Sequence, residues 1–151
     1  MPNFDLVLRN CNLINENSIS QVDIAIKDKR IEKISSSITE KAKKEIDING
    51  KNVAPGVIDD QVHFREPGLT QKGEIKTESL AALYGGITST MDMPNVSPAS
   101  TTLDLLEERF QLAKEKSWTN YSFYLGATPD NIDEVKKAVS YTHLRAHETI
   151  A

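Results

Sequence analysis

The spacing of apolar and polar positions changes once along this chain. From residue 4 to residue 50 the period is two. Val22-Asp23-Ile24-Ala25-Ile26 alternates cleanly, Phe4 to Arg9 alternates in part, and Cys11 to Ile14, Ile31 to Ile34 and Ile46 to Ile48 add short runs. Alternation on this scale predicts half-buried strands. Asp28-Lys29 and Asn49-Gly50 supply turn chemistry between and after them. Lys and Asp on the polar positions fit solvated edges. A small sheet or sandwich is expected for residues 1–50.

From Lys51 onward strand-like and helix-like segments alternate. Val53 to Ile58 reads as a buried strand, and Ile87 to Met93 and Tyr121 to Gly126 as two more. Gly73 to Tyr84 carries apolar positions at Leu80, Leu83 and Tyr84 and stops at Gly85-Gly86. Thr101 or Thr102 can cap a helix to about Lys116, with Leu103, Leu106, Phe110 and Ala113 on one face. Asp130 can cap a third helix, Ile132 to Ala138. Strand and helix in threefold alternation predict parallel β/α units.

Composition narrows the class. The 151 residues are 38% hydrophobic and 26% charged, with a net charge of −4. That is enough chain for one sizeable core, and it lacks the basic balance expected of a nucleic-acid binder. A single cysteine, Cys11, excludes an internal disulfide framework and fits a reducing compartment. The opening residues show neither a signal peptide nor a membrane span, so a cytoplasmic chain without a membrane or nucleic-acid partner is expected.

The candidate chemistry gathers at Asp59-Asp60-Gln61-Val62-His63-Phe64-Arg65-Glu66-Pro67-Gly68. This row follows the Val53 to Ile58 strand and is turned by Pro67-Gly68. In parallel α/β folds, sites form at the carboxyl ends of strands. In an extended segment Gln61, His63 and Arg65 point to one side. An imidazole, an amide oxygen and a guanidinium together suit a metal and an anionic substrate. Cys11, Trp118 and the Tyr121 to Tyr124 aromatics read instead as packing.

The string His-Phe-Arg-Glu-Pro-Gly at 63–68, with Met93-Pro94-Asn95 after Gly85-Gly86-Ile87-Thr88, resembles dihydroorotase of the amidohydrolase superfamily. The resemblance runs from about Leu6 to Ala138. It implies a TIM barrel, of which this chain holds the first three β/α units at 51–138, preceded by the small β-rich domain at 1–50. An eight-fold barrel takes roughly 250 residues, so the chain by itself is expected to be inactive and poorly stable. The implied reaction is reversible hydrolysis of dihydroorotate to carbamoyl aspartate in pyrimidine biosynthesis, with zinc as cofactor and a homo-oligomer as a possible assembly.

The resemblance also implies roles for particular residues. His63 and Gln61 stand at the metal positions, and Arg65 and Asn95 at those that hold the substrate carboxylate. Gln61 departs from the usual His-x-His and is a weaker zinc donor than imidazole. Asp59 and Asp60 are candidates to orient His63, or Asp59 to cap the strand. The remaining ligands and the acid–base aspartate belong to later strands. Allantoinase and dihydropyrimidinase are the neighbouring alternatives; Arg65 disfavours the latter and the uninterrupted Met93-Pro94-Asn95 leans away from the former. A non-catalytic scaffold homologue is the alternative from a different class, with Gln61 as its support.

Residues 139–149, Val-Ser-Tyr-Thr-His-Leu-Arg-Ala-His-Glu-Thr, resemble the in-frame translation of a sequencing adapter, so 139–151 is set apart as an artefactual tail. His143 and His147 there imitate a helical zinc site, but Leu144 occupies the place of the glutamate that such a motif needs.

Overall fold

The computed structural model describes residues Pro2 to Val139. His143 and His147 lie outside the described residues. The chain divides between Pro55 and Gly56 into two compact units.

The first unit is one five-stranded sheet. Strands β1 (Phe4–Asn15), β2 (Ser18–Lys27), β3 (Arg30–Ser35) and β4 (Ala42–Asp47) lie in the order β3-β2-β1-β4, and β5 (Asn52–Val53) pairs with β1. Two-residue turns join β1 to β2 and β2 to β3. Glu16 and Asn17 (φ 49° and 60°) and Asp28 and Lys29 (φ 49° and 64°) all take left-handed backbone, the geometry that matches hairpin twist. Asn52–Val53 joins this sheet, so the first unit extends past the expected end at residue 50. Phe4, Val7, Ala25 and Ile38 form its core. Next to them Asp23, 8% exposed, accepts from Arg9 (2.8 Å) and from the backbone N–H groups of Asn10 and Ile38 (3.1 Å each).

The second unit is a β/α alternation. Strands β6 (Val57–Val62), β7 (Ile87–Asp92) and β8 (Asn120–Phe123) form a parallel sheet in that order, and α1 (Ile75–Tyr84), α2 (Leu103–Lys116) and α3 (Ile132–Val139) follow them in turn. The Thr102 hydroxyl accepts from Leu105 N and starts α2 where the cap residue predicts. Gly85 ends α1 by donating its N–H back to Ala81 O. Asn131 rather than Asp130 stands directly before α3; its side-chain N–H group ties Thr101 O and Gly126 O together at 2.8 Å each.

Val62, Phe64, Ile75, Leu106, Ala113, Phe123, Leu125 and Ala138 make the core, with Leu103 and Phe110 against it. The apolar stripe read on α2 is therefore the buried one. Three expectations are corrected. The first strand of this unit starts at Val57 rather than Val53, and Val57 and Ile58 are exposed, because β6 is an edge paired only with β7 among the described residues. On α1 the buried positions are Ile75 and Ser79, while Leu83 and Tyr84 face solvent. Trp118 is exposed as well, whereas Cys11 is buried.

Candidate functional site

Parallel pairing brings the ends of β6 and β7 side by side. Val62 is in register with Asp92, and Met93 N donates to Val62 O at 3.0 Å. The two segments that leave the sheet here carry His63 to Gly68 and Met93 to Pro98. Ser97 N donates to Pro67 O at 3.1 Å and joins them again further out.

Three of the four residues singled out from the sequence meet at this junction. His63 Nδ1 lies 2.8 Å from Asn95 Oδ1, and Arg65 Nη1 is 3.5 Å from the Asn95 carbonyl oxygen. An amide oxygen can only accept, so His63 carries its proton on Nδ1 in the neutral ring. Nε2 is left with its lone pair and no partner among the described residues. Gln61 stands apart. It is exposed, its backbone N–H bonds to Asp59 Oδ1 at 3.1 Å, and its side chain bonds to none of the other three.

The expected row of Gln61, His63 and Arg65 along one extended face is not what forms. The strand ends at Val62, the β6–β7 register is irregular between Asp59 and Val62, and Arg65 has φ 68°. A left-handed residue turns the chain out of an alternating pattern. Arg65 reaches Asn95 because of that turn. The orienting partner of His63 is likewise Asn95 rather than Asp59 or Asp60: Asp59 serves the Gln61 backbone, and the Asp60 carbonyl accepts from Tyr124 OH at 3.0 Å.

Buried charges support the junction. Glu66, 6% exposed, accepts from Ile75 N at 3.0 Å and so supplies the cap that Glu74 does not give α1. Lys116 at the end of α2 pairs with its other oxygen, and that bond raises the Lys116 pKa. Asp92 accepts from Phe64 N at 3.2 Å and from Arg109 at 2.5 Å. Burial pushes the Asp92 carboxyl above its ordinary range and the Arg109 guanidinium below its own, each against the attraction of the other. Arg109 sits between Leu106 and Ala113 on the apolar stripe of α2. A charged residue at such a position was the available sequence signal for this pair.

As a metal site this group is partial. Among the described residues no three His, Cys, Asp or Glu side chains come together around a common point. His63 fits as one donor: a metal-ligating histidine characteristically gives its other ring N–H to an oxygen acceptor, and Asn95 fills that place. The Gln61 side-chain amide oxygen has no hydrogen-bond partner among the described residues, whereas its backbone N–H is bonded.

Comparison with known proteins places the chain in a family. The dihydro-orotase-like family model matches residues 50–141, and the chain belongs to that family. It is 35% identical over 136 residues to an L-hydantoinase of Paenarthrobacter aurescens, covering 89% of this chain and 30% of that protein. It is 37% identical over 136 residues to an allantoinase of Desulfitobacterium hafniense, with the same coverages. It is 38% identical over 112 residues to a dihydroorotase of Fusobacterium nucleatum, covering 74% of this chain and 26% of that protein. The solved structure of an L-hydantoinase (dihydropyrimidinase) from Arthrobacter aurescens superposes with a TM-score of 0.86 at 34% identity, over 91% of this chain and 31% of that one. The chain spans between 26% and 31% of the length of these proteins. No helix among the described residues is long and apolar enough to cross a membrane.

Proposed function

We propose that this chain is the amino-terminal part of a metal-dependent cyclic amidohydrolase that hydrolyses dihydroorotate reversibly to carbamoyl aspartate. The three β/α units are the start of an eight-fold barrel, consistent with relatives about three times as long. The observation that carries the reading is the 2.8 Å contact of His63 with Asn95 beside Arg65, at adjacent strand ends. It sets an imidazole lone pair and a guanidinium within one small region.

In this reading zinc, when bound, makes a water nucleophilic near neutral pH and polarises the ring carbonyl. His63 Nε2 supplies one donor, and Gln61 is the candidate for a second. Asn95 holds the His63 ring in the tautomer that leaves Nε2 unprotonated. Arg65 and the Asn95 side-chain N–H group hold the substrate carboxylate, a task that suits a guanidinium fork. Further donors and the acid–base group come from the part of the protein beyond the third unit.

A second reading is favoured by the hydantoinase and allantoinase relatives: the same machinery acting on a ring amide without the carboxylate. A non-catalytic scaffold is the third. Metal analysis of the full-length protein with a turnover assay separates catalyst from scaffold. Bound zinc and dihydroorotate hydrolysis are expected; a metal-free protein without turnover would establish the scaffold instead.

A further inference from the structure

Beneath the His63–Asn95 contact lie two buried charges, Asp92 at 2% exposure and Arg109 at 0%. One Asp92 oxygen is 2.5 Å from Arg109 Nη2, and the other accepts from Phe64 N at 3.2 Å. Arg109 Nη1 donates to Met93 O at 3.0 Å and to Ser100 Oγ at 3.3 Å, and its guanidinium carbon stands 4.3 Å from the centre of the Phe123 ring. Arg109 Nε is buried with no partner among the described residues.

Stability is a poor explanation for such a pair. Withdrawing two charges from water costs about as much as their attraction returns, and an apolar pair of similar volume is often equally stable or more so. The unpartnered Nε adds a further cost. What an apolar pair lacks is grip on the backbone. Phe64 directly follows His63, and Met93 lies two residues before Asn95. The two backbone groups held belong to different strand ends, and the residue that completes the hold comes from α2.

We propose that Arg109 is a positioning residue. Through Asp92 and Met93 O it locks the ends of β6 and β7 in the one relation that brings His63 Nδ1 onto Asn95 Oδ1. Neither charge touches the imidazole by a hydrogen bond; both act through the backbone on either side. The consequence for metal binding rests on the reading of His63 as a donor, but the placement of the ring does not.

The test uses the full-length protein labelled with 15N at histidine, with the His63 signals identified by their loss in His63→Gln. Two double variants are compared with the parent: Asp92→Leu with Arg109→Met, and Asp92→Asn with Arg109→Gln. The expected result is a thermal midpoint near that of the parent together with loss of the ring-nitrogen shifts that mark the Nδ1–H tautomer. Zinc affinity, measured separately, is expected to fall 10- to 100-fold. A folded variant with unchanged His63 shifts overturns the proposal. So does unfolding of both variants, which would make the pair a stabiliser of the unit. Lost shifts with unchanged zinc affinity would uphold the positioning role and remove His63 from the metal.

Discussion

The backbone of Gly68 passes so close to Ser97 that a β-carbon on residue 68 would lie 1.8 Å from the Ser97 carbonyl oxygen. Gly68 also has φ +78°, where side chains are strained. The loops carrying Arg65 and Asn95 therefore touch at a point where only glycine fits. Gly68→Ala must push them apart as well as strain the turn. It is expected to destabilise the second unit by about 2–4 kcal/mol. Chemical denaturation followed through Trp118, the sole tryptophan, measures this directly. A change within about 0.5 kcal/mol, the size of an ordinary surface substitution, would show that the loops part freely.

Asn95→Ala removes the acceptor that fixes the His63 ring. The neutral imidazole should then exchange between its two tautomers, read from the 15N shifts of both ring nitrogens. Partners of this kind typically contribute 10- to 100-fold in metal affinity, so zinc binding by the full-length protein should weaken by about that factor. A ring that stays in the Nδ1–H form without Asn95 would mean that another acceptor holds it.

Acid should loosen the first unit through Asp23. Burial alone would raise its carboxyl, but Arg9 and the N–H groups of Asn10 and Ile38 outweigh that and hold it below its ordinary value of 3.8. A carboxylate depressed in the folded state stabilises fully above that ordinary value, and its contribution is lost as pH falls through the lower folded value. Protection of the Val7 and Ala25 amides, both in the core of that sheet, taken relative to their intrinsic exchange rates, should thus fall below about pH 4. Asp23→Asn should flatten this dependence. An unchanged acid limb in the variant would assign it to other carboxylates.

Much of this architecture is legible in the residues, for local reasons. The hairpin at Asp28-Lys29, the Thr102 cap and the stripe of Leu106, Phe110 and Ala113 rest on contacts within a few positions of one another. Three of the residues at the candidate site, His63, Arg65 and Asn95, stand out in the sequence through one short string and one tripeptide. Their contact does not, because it depends on a register irregularity near Val62 and on the left-handed turn at Arg65. Alternation along a single strand is blind to both. The roles of Glu66 and Arg109 were hidden for a different reason: each acts across distant segments, Glu66 on Ile75 and Lys116, and Arg109 on Asp92 and Met93. The exposure of Val57 and Ile58 follows from their place on a strand that pairs only with β7 among the described residues, which their apolar character alone does not reveal.

The most direct measurement is a substrate comparison with the full-length, zinc-loaded protein and its Arg65→Lys variant. Catalytic efficiency is taken for dihydroorotate, allantoin and a 5-substituted hydantoin. Dihydroorotate should be preferred by the parent. Lysine keeps the charge but loses the fork, so the variant should lose about 1.5–3 kcal/mol, roughly 10- to 150-fold, on dihydroorotate. The hydantoin, which lacks the carboxylate, should be affected little. A parent that prefers hydantoin or allantoin, or a variant that loses all three substrates equally, would contradict the assignment of Arg65 and Asn95 to a substrate carboxylate.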